Sequence, residues 1–144
     1  MAIITIIRKI KEIHPNDIVF VRIGKFFHVY GRDSYIISYL FKYKIQIEEG
    51  IYVCGFPEKS INKIIAKLEN TKINYMIVDR RYNYEVDEHI EFKKLNKYQE
   101  TYKKAHEYLT IKIRIDKIYF QLINEIENKN IKNKIYKIEG IINE

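Results

Sequence analysis

The sequence predicts an α/β (α+β) domain built on a mixed β-sheet flanked by helices, followed by a C-terminal helical extension. Three observations carry that expectation. Short runs rich in β-branched and aromatic residues alternate with stretches whose apolar residues recur at helical spacing. Gly and Pro punctuate those runs as far as Pro57. Between Pro57 and Gly140 neither residue occurs, and from Lys94 onward the apolar period is helical.

The elements follow in order. Ile4, Ile6, Ile7, Ile10 and Ile13 suit one face of a helix, which His14-Pro15 ends because the residue before proline is pushed out of the helical region. DIVFVRI, 17–23, reads as a buried strand, Gly24-Lys25 as a turn, and FFHVY as a second strand. Within the second strand, alternation sets Phe26, His28 and Tyr30 against Phe27 and Val29, and one of the two phenylalanines belongs to the core. Asp33 or Ser34 is expected to cap a helix over SYIISYLFKY. KIQI and GIYVCGF flank the turn Glu48-Glu49-Gly50, and Pro57 stands near the start of a helix burying Ile61, Ile64, Ile65 and Leu68. NYMIVDR is a further strand, and YEVDEHIEF alternates as an edge strand does. Beyond it, Leu95, Tyr98, Tyr102, Ala105 and Leu109 make one helical stripe. Ile111, Ile115, Ile118, Leu122 and Ile126 continue it with a phase shift. A turn at Glu127–Asn130 and a short helix over IKNKIYKIEGII complete the chain, giving expected divisions at 1–92 and 93–144.

At 144 residues the chain has room for one domain with an appended element. No apolar run reaches the roughly 20 residues of a membrane span, and the first residues do not pattern as a signal peptide. A lone cysteine, Cys54, excludes an internal disulfide and suits a reducing, cytoplasmic setting. The net charge of +7 is uneven: residues 93–144 hold 12 basic against 7 acidic side chains, while residues 1–92 hold 14 against 12. A basic protein so arranged favours an acidic partner such as nucleic acid.

Catalytic motifs are missing from the sequence. Gly24-Lys25 lacks the remaining residues of a phosphate loop, and no Gly-x-Ser-x-Gly occurs. The histidines at 14, 28, 89 and 106 are not at metal-ligand spacing. Asp87, Glu88, His89 and Glu91 read as a solvated strand edge that discourages edge pairing. Cys54, within IYVCGF, reads as an inert buried thiol. The expectation is a protein that is not an enzyme and takes no cofactor or metal.

IRKIKEIHPNDIVFVRIGKFFHVYGRDS resembles the start of the MutS DNA mismatch-repair family. That family's N-terminal, mismatch-contacting domain opens with a helix, a His-Pro and a strand running into Gly-Asp-Phe-Tyr-Glu. Here His14-Pro15 is followed by Arg22-Ile23-Gly24-Lys25-Phe26-Phe27-His28. Cys54-Gly55-Phe56-Pro57, Ala66-Lys67-Leu68 and Ile77-Val78 match further points, so the resemblance spans about residues 4–80. It implies the mixed sheet of that domain, and a nucleic-acid-binding module without the family's ATPase or clamp. By position, Phe26 would stack on an unpaired base and His28 would hydrogen-bond it. Lys25 and Arg22 would attract phosphate. The family's Asp is Lys25 here and its Glu is His28. Imidazole lacks the carboxylate's geometry and titrates near neutrality, so the resemblance implies DNA binding without settling mismatch specificity.

In the tail, Lys97, Lys103 and Lys104 fall among tyrosines, as on a phosphate-tracking surface. The expected partner is DNA (mismatched, bent or single-stranded), with RNA a further candidate, and the C-terminal helices are expected to form a homo-oligomer. KYQETYKKAHEYLTIKIR also resembles, more loosely, the small four-helix-bundle proteins that accompany some bacterial reverse transcriptases. The alternative reading is a protein–protein adaptor that reuses the fold and assembles through those helices.

Overall fold

A computed structural model describes residues 3–144. The elements, in chain order, are α1 (Ile3–Ile13), β1 (Ile18–Ile23), β2 (Phe26–Tyr30), α2 (Arg32–Phe41), β3 (Gln46–Glu48) and β4 (Ile51–Pro57). There follow α3 (Ile61–Thr71), β5 (Tyr75–Asp79), β6 (Glu85–Ile90), α4 (Tyr98–Asn124) and α5 (Ile131–Ile142). The six strands form one sheet in the order β3-β4-β2-β1-β5-β6. Only β1 and β5 pair in parallel, so the sheet is mixed, as the residue pattern predicts. Among the described residues no helix is long and apolar enough to cross a membrane.

Alternation along the central strands builds two clusters, one on each face. Val19, Val21, Met76 and Val78 pack with Ile7 of α1. Ile18, Phe20, Phe27, Val29, Phe56, Tyr75 and Ile77 pack with Ile36 and Ile37 of α2 and Ile64 and Leu68 of α3. Phe20, Phe27 and Phe56 meet edge-on or stacked, with centroids 5.8–6.4 Å apart. Burying each such ring contributes about 1.5–3 kcal/mol. Cys54 is buried in this second cluster, and burial pushes its thiol up to about 12. The two-residue turn after β1 has Gly24 at φ +60°, the left-handed region in which glycine escapes the Cβ clash.

Two local expectations need correction. Asp33 and Ser34 do not cap α2. The helix starts at Arg32 behind Gly31, and both side chains lie buried inside its first turn. Asp33 instead accepts from the Val19 amide at 3.0 Å, Lys11 Nζ at 2.9 Å and the Tyr98 hydroxyl at 2.5 Å. It thereby ties α1, β1 and α4 to α2. The stripe beginning at Leu95 starts one turn later. Leu95 is 61% exposed in a short 3-10 turn, and Asn96 Oδ1 accepts the Tyr98 amide at 3.2 Å where α4 begins.

The chain falls into two compact units that part after Tyr108. In the first, Tyr98, Thr101 and Ala105 are buried, with Tyr98 and Ala105 inside the α2–α3 cluster. The opening turns of α4 therefore belong to the sheet domain. The second unit, residues 109–144, holds the rest of α4, a turn at 125–130 and α5. Lys134 Nζ meets Glu125 Oε2 across that turn at 3.0 Å.

Candidate nucleic-acid interface

The β1–β2 hairpin decides which phenylalanine is available. Register pairs Ile23 with Phe26, Arg22 with Phe27 and Val21 with His28. Directly opposed residues share a face, so Phe27 goes to the core under α2 and α3, and Phe26 goes to the face that carries α1. Phe27 is fully buried, whereas Phe26 is 52% exposed. A large aromatic ring half in water beside a glycine turn gains little as core. Its position suits contact with a second planar surface.

Two residues along the same face, His28 stands opposite Gly55 of β4. A Cβ at Gly55 would come within 3.1 Å of His28 Cδ2 and 3.2 Å of Nε2, so the glycine is what admits the imidazole edge to this position. His28 Nδ1 lies 3.3 Å from the Tyr30 hydroxyl, which orients the ring. Burial lowers the His28 pKa from its ordinary value and Glu48 opposes that shift, so the ring is neutral at pH 7. Its Nε2 can then offer or accept one hydrogen bond toward the open side.

That open side is a cleft of about 290 Å³ lined by Phe26, His28, Tyr43, Lys44, Gln46, Glu48, Val53 and Gly55. Its size stands at the low end of small-ligand sites, roughly 300 Å³ upward. The far wall comes from the end of the α2 connection and from β3 and β4. Lys25, at the turn, and Lys44 are exposed and carry no ion pair among the described residues. The cleft thus combines an exposed aromatic, a neutral imidazole and one cation, Lys44, with Glu48 as the one acid in its wall, and Lys25 stands at the turn next to Phe26. Such a set can stack a planar base, hydrogen-bond its edge and attract the adjoining phosphates.

The residues singled out from sequence therefore lie in separate places. Phe26 and His28 come together at the cleft, while Lys25 is exposed at the turn that precedes Phe26 and does not line the cleft. Arg22 does not join them. It lies on the other face with its guanidinium 4.5 Å over the Phe27 ring, paired to Glu58 at 3.0 Å and Asp79 at 3.6 Å. Lys97 directly precedes α4, and Lys103 and Lys104 sit on it; the buried Tyr98 and Ala105 of that helix belong to the cluster opposite the cleft. Lys97 pairs with Glu100 at 3.5 Å, while Lys103 and Lys104 are exposed. Sequence reasoning missed Tyr43, Lys44, Gln46 and Glu48, because only the β2–β4 pairing brings that segment beside Phe26. The one sequence signal for the wall was Gly55, in the Cys54-Gly55-Phe56-Pro57 segment.

A family model described as MutS domain I matches residues 2–108. That span ends where the sheet domain ends, at Tyr108. No curated protein matches the chain.

Proposed function

The chain belongs to the MutS domain I family through residues 2–108, and from that premise we propose that it is a non-enzymatic module that binds nucleic acid through the Phe26–His28 cleft. The observation that carries the reading is the half-exposed Phe26 ring in a cleft that also holds a neutral imidazole and the unpaired Lys44, with Lys25 at the adjoining turn. The ligand expected from that chemistry is DNA with an unstacked base: a mismatch, a bend or a single strand. A neutral imidazole replaces the family's carboxylate, so discrimination among mispairs should be weak and should change as His28 titrates. Single-stranded RNA offers the same stacking faces and is the competing ligand.

Fluorescence anisotropy with homoduplex, mismatched duplex, single-stranded DNA and an RNA hairpin, at low and moderate salt, tests this. The expected result is retention of DNA that weakens as salt rises, because phosphate contacts release counterions. Absence of binding to every probe at low salt would end the reading.

A second reading has its own observation. In the unit from residue 109 onward, Ile111, Ile115, Ile118, Phe120 and Ile126 are all more than half exposed. So much bare apolar surface is costly in water and marks an interaction surface. Self-association through these helices fits it, and so does an adaptor role in which the tail holds a protein partner.

A further inference from the structure

We propose that His14, Asp17, His89 and Glu91 form a binding site for a divalent transition ion of the zinc class. The two histidines are far apart in sequence, yet the fold brings them edge to face with ring centroids 5.1 Å apart. His14 and Asp17 come from the α1–β1 connection, His89 from the edge strand β6, and Glu91 from the residue just past its end. Both imidazoles address one oxygen. His14 Nδ1 lies 3.3 Å and His89 Nε2 2.8 Å from Asp17 Oδ2, and His89 Nε2 lies 3.3 Å from Glu91 Oε1. One ligand atom from each residue falls within 4.8 Å of all the others. Tetrahedral zinc, with bonds of about 2.0–2.2 Å, spaces its ligand atoms about 3.4 Å apart, so an ion needs the 2.8 Å His89–Asp17 contact to open and the wider separations to close.

The surroundings are those of a built site. Asp17 is only 5% exposed, and its second oxygen accepts from Asn74 Nδ2 at 3.1 Å, which fixes the carboxylate plane from behind. The connection carrying His14 and Asp17 is anchored independently. Lys11 Nζ donates to the Asp17 carbonyl at 2.5 Å, and Asn96 Nδ2 donates to the Asn16 carbonyl at 2.8 Å. The Lys11 ammonium is paired to Asp33 at 2.9 Å, which offsets its repulsion of a cation. Glu91 is half-exposed and both imidazoles are partly exposed, so the site opens to solvent around the buried Asp17. Two imidazoles and two carboxylates suit zinc, with cobalt(II) as a spectroscopic substitute, and their charges neutralise a divalent ion. The same geometry without metal is a buried carboxylate satisfied by two imidazoles, and the two states differ in a measurable way. A bound ion would clip the α1–β1 connection to the edge strand and stabilise the fold by mass action.

The experiment uses the full chain, free of any histidine tag and stripped with chelator. It is titrated with cobalt(II) in the visible range and with zinc by calorimetry and thermal melting. The expected result is one ion per chain, ligand-field bands of four-coordinate intensity and a raised Tm. His14→Gln and His89→Gln should each lose the bands and at least ~10-fold in affinity, while His106→Gln keeps both. The site is refuted if the stripped wild-type chain shows neither bands nor a Tm shift, or if binding survives both ligand substitutions. Should either variant fail to fold, the cobalt spectrum of the wild-type chain decides alone.

Discussion

At the residue scale, two buried polar choices and one exposed ring account for most of what distinguishes this domain. Phe26 and Phe27 are chemically the same, and alternation alone says only that they diverge. Pairing with Ile23 and Arg22 determines which is buried. Asp33 shows the reverse situation. As a residue type it suggested a cap, but three donors converge on it from α1, β1 and α4, and only the folded chain brings them there. Burial, and then the Asp33 carboxylate, push the Tyr98 phenol far above its ordinary value, so it donates at any pH the protein tolerates. Tyr98→Phe removes one bond to a buried charge and should lower unfolding free energy by about 1–3 kcal/mol, measured as a shift of the urea midpoint at constant slope. His28 sets an acid limit. Its folded pKa is lowered, so as pH falls the unfolded chain takes up the proton first. Its contribution to stability is complete above about 6.5, declines below that, and levels off once pH passes the folded value. His28→Gln should flatten that part of the stability–pH curve, as denaturant midpoints across the window would show. Equal slopes in wild type and variant would contradict the assignment.

At the element scale, the strands and helices of the sheet domain were legible because glycine and proline punctuate runs of opposite period. The order of strands and helices, the edge position of β6 and the helices at 61–71 and 131–142 stand as the pattern predicts. Helix ends were less legible. Leu95 continues the apolar spacing of α4, yet Asn96 starts the helix by accepting the Tyr98 amide. The change in periodicity at Lys94 marks the approach to α4, whose first turns are still core. Farther along α4, the exposed Ile111, Ile115 and Ile118 stand at i, i+4 and i+7, one face of one helix. Replacing the three with Lys should abolish self-association in sedimentation while leaving the circular dichroism of the sheet domain intact. A wild-type chain that sediments as a monomer at every concentration would rule out assembly through this face.

At the scale of the whole molecule, legibility follows sequence separation. The hairpin that presents Phe26 is local, so its chemistry could be read along the chain. The cleft beside it needs β4 paired to β2, and the His14–His89 cluster needs β5 to join β1 to β6. No periodicity encodes either meeting. The sheet thus places an exposed ring, a neutral imidazole and Lys44 around one cleft, on a domain that belongs to MutS domain I. The central claim is that Phe26 contacts a base. Its most direct test is anisotropy of labelled mismatched and single-stranded DNA with wild type beside Phe26→Ala. Loss of one stacked ring should cost about 1–3 kcal/mol, roughly 5- to 150-fold in affinity, with the salt slope unchanged because no phosphate contact is removed. Equal affinities for wild type and Phe26→Ala on every probe would contradict the account and leave binding to the lysines alone.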